Sequence, residues 1–204
     1  YYFLESTPTH SYMKALYKYP QSAFPYEALV AENGKRTRLE PEYELEDTGI
    51  FDENRYFDVF VEYAKADVDD ILIRIEIHNR ADVDAELHVL PTLWFRNIWR
   101  WGAQHESAHE KPRLWESAPG RVSTRHDTLG DFVLAVDHDV DAQAPTLLFT
   151  DNDSNRVRLF GVPNVAPYLK DAFHDFVIRG DGQAVNPERE GTKAAAHFTK
   201  VVPA

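Results

Sequence analysis

The stretch YFDVFVEYAKADVDDILIRIEIHNR, residues 56–80, decides the fold. In it Phe57, Val59, Val61 and Tyr63 alternate with Asp58, Phe60 and Glu62, and Ile71, Ile73, Ile75 and Ile77 alternate with Leu72, Arg74, Glu76 and His78. Successive side chains of an extended strand leave opposite sides of the pleat, so this period of two predicts strands over 56–66 and 71–79, each with one buried apolar face. A third strand is expected to carry Leu87, Val89 and Leu93 inward. The connections 66–70 and 80–84 are too short for crossover helices, so the three strands are expected to form an antiparallel meander.

Register follows from the same pattern, because a slip by one residue would turn an isoleucine row into water. In the first hairpin, Glu62 placed across from Arg74 avoids the like-charge pair Glu62 and Glu76. In the second, pairing Arg80 with Asp84, His78 with Glu86 and Glu76 with His88 avoids opposing the two histidines.

Before this block the chain is irregular. Pro8 and Pro25 suit first helical positions, Pro20 would stop the first helix, and Gly34 after Asn33 would cap the second. Residues 36–52 are charged, aperiodic and carry Pro41 and Gly49, which reads as surface loop. After the block, short strands are expected at 121–125, 132–136, 146–150 and 157–160, a helix within 167–176 with Phe173 and Phe176 inward, and a closing strand over 194–202. Short strands separated by Gly, Pro, Asp and Asn clusters suit an all-β antiparallel sandwich with a few short peripheral helices, taken as a single domain over 1–204.

The composition bounds the function classes. The 204 residues carry four Trp, 12 Phe, 10 Tyr and a net charge of -12. This aromatic content supports a packed core, and the negative charge without a basic stripe disfavours both nucleic acid and membrane surfaces as partners. The absence of cysteine leaves no disulfide framework or thiolate metal site and fits a reducing, cytoplasmic compartment. The chain opens on Tyr1, its first methionine is Met13, and it stops just after a strand-like run. An excised module of a larger protein is the expectation.

Few residues offer chemistry. The run Leu93-Trp94-Phe95-Arg96-Asn97-Ile98-Trp99-Arg100-Trp101 holds three indoles that cannot all enter one small core. Trp94, Trp99 and Trp101, with Arg96 and Asn97, suit either a sugar-stacking platform or core plus a buried contact with a neighbouring domain, and the second is the more ordinary use of tryptophan. His105 and His109 have helical metal-ligand spacing with Glu106 and Glu110 nearby, but Pro112 and the lack of a helix signal favour a solvated loop. Asp151, Asp153 and Asn155 imitate the start of a calcium loop, yet Arg156 and Val162 stand where glycine and glutamate are needed, so a turn is the better reading. Asn152-Asp153-Ser154 is a formal glycosylation acceptor. His78–Glu86 and Glu76–His88 would make an exposed charge ladder or, in a mutarotase-like enzyme, an acid and a base. No nucleophile motif, phosphate loop or dinucleotide fingerprint occurs, so no catalytic residue, metal site or cofactor is assigned.

Several longer segments carry a resemblance. STPTHSYMKALYKYPQ at 6–21, FDENRYFDVFVEYAKA at 51–66, LHVLPTLWFRN at 87–97, RLFGVPNVAPYLKDAFHDFVIRG at 158–180 and NPEREGTKAAAH at 186–197 together resemble the bacterial glucosidase-type branch of glycoside hydrolase family sixty-three. The resemblance implies a mutarotase-like super-sandwich packed on a C-terminal barrel of paired helices. It further implies inverting hydrolysis of α-glucosidic or related linkages by two carboxylates of that barrel. Neither carboxylate has a matching position in this chain. The expectation is therefore a non-catalytic N-terminal domain that packs on the barrel and helps shape the site, with Trp94, Arg96, Asn97, Trp99 and Trp101 facing substrate or barrel. The alternatives are a free-standing carbohydrate-binding module that takes oligosaccharide, and a mutarotase-like enzyme.

Overall fold

A computed structural model describes residues 1–100, 110–139 and 141–204. The strands are β1 (Tyr2–Ser6), β2 (Tyr12–Pro20), β3 (Tyr56–Asp67), β4 (Asp70–Asn79), β5 (Ala85–Val89), β6 (Thr92–Trp94), β7 (Arg113–Ala118), β8 (Arg121–His126), β9 (Gly130–Ala135), β10 (Thr146–Thr150), β11 (Glu190–Gly191) and β12 (Lys193–Val202). The α-helices are α1 (Tyr26–Asn33), α2 (Arg156–Phe160) and α3 (Ala172–Arg179). Among the described residues the strands form three sheets, ordered β1-β2-β3-β4, β10-β12-β5 with β6 also on β12, and β11-β7-β8-β9. The fold is all-β and antiparallel with short helices at its margins. The chain divides into two compact units, one of residues 1–87 and 201–204 and the other of 88–200.

The first unit is built on β1–β4. The expected hairpin register holds, with Glu62 opposite Arg74, and the Arg74 Nη2 lies 2.9–3.0 Å from the two Glu62 carboxylate oxygens. This face is a charge ladder. Lys14 Nζ adds a 2.9 Å contact to Glu62, while Lys18 Nζ at 2.8 Å and Arg80 Nε at 2.7 Å grip the buried Asp58. Burial alone would raise the Asp58 carboxyl, but hydrogen bonds from Lys18 and Arg80 outweigh it and hold the group below the ordinary carboxylate value.

Four expectations fail in this region. The helix expected between Pro8 and Pro20 is strand β2, which pairs residue for residue with β3 from Tyr12↔Ala64 to Pro20↔Tyr56. Alternating Met13, Ala15, Tyr17 and Tyr19 supply the strand period that the prolines obscured. The three-strand meander is a two-strand hairpin, since β5 leaves β4 and joins β12 instead. The opposed pairs of the second hairpin dissolve with it. Arg80 turns to Asp58, and His78 Nε2 lies 2.8 Å from Glu76 Oε1 on its own strand. Finally, the isoleucine row is not hidden, because Ile71 and Ile73 are 57% and 49% exposed. Helix α1 stands where it was expected, with the Gly34 N–H donating to Val30 O in an ordinary right-handed turn rather than a left-handed cap.

The second unit is a sandwich with its own core. Leu114 and Val122 from β7 and β8 meet Leu147 and Phe149 from β10 and Ala194 and Ala196 from β12. On the opposite side of the same central sheet, Leu148 and Ala195 pack with Phe173, Phe176 and Val185, so α3 covers that face with the two phenylalanines expected to point inward. Both faces of β10 and β12 are therefore dry, which is why Leu147-Leu148-Phe149 is a continuous apolar run instead of an alternating one. The alanines of β12 keep this middle layer thin. The strand expected at 157–160 is helix α2, because the Asn155 side chain accepts from the Arg158 N–H and caps a helical turn.

Candidate functional site

The tryptophan-rich segment is placed by β6 and a buried aspartate. Strand β6 pairs with β12, setting Trp94 against Lys193 and Leu93 against Ala194. Leu93 and Phe95 point to the core, and the Phe95 ring meets His126 at 4.8 Å. Alternation then turns Trp94 and Arg96 outward, and Trp94 is 54% exposed.

Past Phe95 the backbone leaves the sheet and is held by side chains. The Asn152 amide donates to Phe95 O at 2.9 Å, and the Asn97 amide donates to Asn152 O at 2.9 Å and to Asp153 Oδ1 at 3.0 Å. Arg100 completes the clamp with a fork onto Asp153, Nε to Oδ1 at 3.0 Å and Nη2 to Oδ2 at 3.2 Å. Asp153 is 3% exposed, and the carboxylate beside Arg100 holds that guanidinium above its usual value. The Asn152 N–H donates to Thr192 Oγ1, which donates in turn to Asp151, and Lys111 lies 3.0 Å from the same Asp151.

The sequence-derived set is thus brought together only in part. Trp94 and Arg96 share the outward side, and Asn97 is an anchor rather than a presented group. Trp99 is half-buried with an indole N–H that has no acceptor among the described residues, and Asn97 Oδ1 has no donor among them. Trp101, His105, Glu106 and His109 lie outside the described residues. The pairing of Asp153 with Arg100, which organises the segment, is not legible in the sequence, where Asp153 reads only as part of a calcium-like turn and Arg100 as one member of the aromatic run. Their signal in sequence is an aspartate in a turn and an arginine among aromatics, and neither discloses a partner fifty residues away. The calcium-like trio is dispersed into other tasks: Asp151 meets Lys111 and Thr192, Asp153 clamps Arg100, and Asn155 caps α2. The Asn152 amide of the formal acceptor tripeptide is likewise spent on Phe95.

A second cluster joins β5 to β12. His88 Nδ1 and His197 Nε2 lie 2.8 Å apart with stacked rings, Thr199 Oγ1 is 3.2 Å from His88, and the Phe176 edge meets His197. Burial, and then the neighbouring His88, pushes the His197 imidazole below its ordinary value. His88 was expected beside Glu76, and its passage to β12 with β5 explains the change.

Asp153 is saturated by Arg100 and Asn97, so it is a structural anion and not a free base. Among the described residues no group of three or more His, Cys, Asp or Glu is arranged to hold a metal ion, and no helix is long and apolar enough to cross a membrane. What remains chemically is an outward indole and guanidinium on a firmly anchored ribbon.

Among known proteins, a longer one aligns with the whole of this sequence. YMR196W, an uncharacterised protein of Saccharomyces cerevisiae, is 40% identical over 234 aligned positions that take in 100% of this chain and 21% of the yeast protein. The chain thus spans about a fifth of the length of the curated relative it matches. No family model matches the sequence, and no solved structure matches it.

Proposed function

We propose that this chain is a non-catalytic β-sandwich domain of a larger glycoside hydrolase of the family sixty-three type, packing on a helical barrel of the same polypeptide and helping to shape its active site. The observation that carries this reading is the Asp153 clamp. An ion pair with a buried carboxylate, spent on holding a loop, is a costly device, and here it supports Trp94 and Arg96 as an outward surface while Asp153 itself is taken up by the clamp. Support for the larger enzyme comes from the five resembling segments and from a relative matched over only 21% of its length. In this reading the barrel's two carboxylates perform the hydrolysis and an oligosaccharide runs past the Trp94 side. A cytoplasmic location belongs to the same proposal, supported by a chain without cysteine.

Purified chain, checked for contaminating hydrolase, is expected to leave chromogenic α-glucosides intact, and turnover that follows the protein through purification sinks the reading. The half-exposed Trp94 indole gives a carbohydrate-binding module some standing as a second reading. Titration calorimetry with maltose-type and mannose-type oligosaccharides separates them, because binding at millimolar or tighter dissociation constants that Trp94→Ala abolishes supports the module. The mutarotase-like reading paired His78 with Glu86 across one hairpin, and the two stand on strands of different sheets.

A further inference from the structure

The odd-numbered face of the β1–β4 sheet is apolar and, away from the buried Phe57, open to water at Phe3, Met13, Tyr17, Tyr63, Ile71 and Ile73. Residue pairing lines up Phe3, Ala15, Val61 and Ile75 across the strands, and Met13, Tyr63 and Ile73 beside them. Phe3 is 85% exposed, Ile71 and Ile73 about half, and Tyr17 and Tyr63 slightly less. Both apolar core clusters belong to residues 88–200, whereas the buried apolar residues of the first unit amount to little beyond Phe57, Ala81 and Leu87 among the described residues. A sheet normally hides one face against a second layer, and this one carries a charge ladder on one face while Ile71 and Ile73 of the other meet water.

We infer that this face is the docking surface for an apolar layer carried by another part of the same polypeptide. The inference rests on the reading of the chain as one domain of a larger protein and names the surface by which it is joined. Strand spacing of about 4.8 Å and a same-face residue every ~7 Å give the bare region roughly 400–500 Å². That is near the upper limit for a patch on a monomer and well short of the about 800 Å² per side of a stable complex between free proteins. A partner on the same chain needs no such area, because tethering raises its effective concentration to about millimolar. A second copy is disfavoured by the same arithmetic and by a net charge of -12 on each chain. About four-fifths of the yeast relative lies outside the match, which is ample length to supply the layer. Lys65, opposite Ile71 at the end of the face, is the charged residue of these paired rows and sets a carboxylate on the occupant.

The test is covalent footprinting of the isolated chain and of the full polypeptide that the gene encodes, reading peroxide oxidation at Met13 and radical labelling at Tyr17 and Tyr63, with exposed Tyr26 of α1 as reference. The expected result is ready modification in the chain and at least tenfold protection of all three sites in the full polypeptide, with Tyr26 unchanged. Ile73→Asp should leave the isolated chain folded, since the side chain is half in water, and restore labelling of the full polypeptide. Three results overturn the inference: equal labelling in both proteins, protection that appears in the isolated chain only as its concentration rises and sedimentation shows dimer, and protection already complete in its dilute monomer. None of these depends on hydrolysis, so a failed glycosidase reading and a failed docking surface are told apart.

Discussion

Asp153 shows how one side chain fixes a whole segment. Its two oxygens receive Arg100 and Asn97 at 3.0–3.2 Å while the residue is almost wholly dry, so truncation takes the carboxylate from the Arg100 guanidinium and one of two acceptors from the Asn97 amide. Asp153→Ala is expected to cost about 2–4 kcal/mol in urea unfolding and to increase Trp94 fluorescence quenching by iodide; an unchanged midpoint would contradict the clamp. His197 provides a pH test. Its folded-state value lies below the ordinary 6.5, so the unfolded chain binds the proton first. The stabilising contribution is complete above pH 6.5 and is lost as pH falls from there through the folded value. Melting temperature should fall as pH drops below about 6.5, and His197→Gln should flatten that part of the profile. At this scale the sequence was least readable. The Glu62–Arg74 pair followed from local register, but Asp153–Arg100 and His88–His197 join residues that only the completed fold brings together.

Among the elements, the clear readings were those with an unmixed period. β3 and β4 alternate without interruption, and β8, β9, β10 and β12 fall where short apolar runs lie between turn residues. The misreadings share a cause, which is that a stronger interaction overrode a local signal. Pro8 and Pro20 resemble helix punctuation, yet the β2 ladder with β3 wins over 12–20. Val157, Leu159 and Phe160 resemble a strand, yet the Asn155 cap closes α2. Short β11 has a requirement of its own, because a Cβ on Gly191 would overlap the Thr150 carbonyl. Gly191→Ala must push β11 from β10 and should destabilise by about 2–3 kcal/mol. Thermal unfolding measures it, and a shift of less than a degree would show that the strands have room.

For the whole molecule, the two units differ in what holds them. Residues 88–200 enclose two apolar clusters on either side of one sheet, whereas the first unit relies on ladder hydrogen bonds and surface ion pairs. Amide exchange should therefore be slowest at Leu147–Phe149 and Ala194–Ala196 and faster by about two orders of magnitude in β1 and β4. Uniform protection would refute the distinction. The all-β class was legible because composition and turn spacing report it without needing long-range pairing. That β5 deserts β4 was not legible, since nothing near β5 announces a partner more than a hundred residues later.

The place of β12 has a consequence for how the molecule is made. It lies between β10 and β5 and lines both apolar clusters, yet it emerges from the ribosome after nearly everything it organises. Until then β5, β6 and β10 have no common neighbour, and their greasy sides wait unprotected during synthesis at roughly 5–20 residues per second. The nascent chain is thus a natural client for holding chaperones, and slowing translation near codons 190–200 should raise its losses to aggregation.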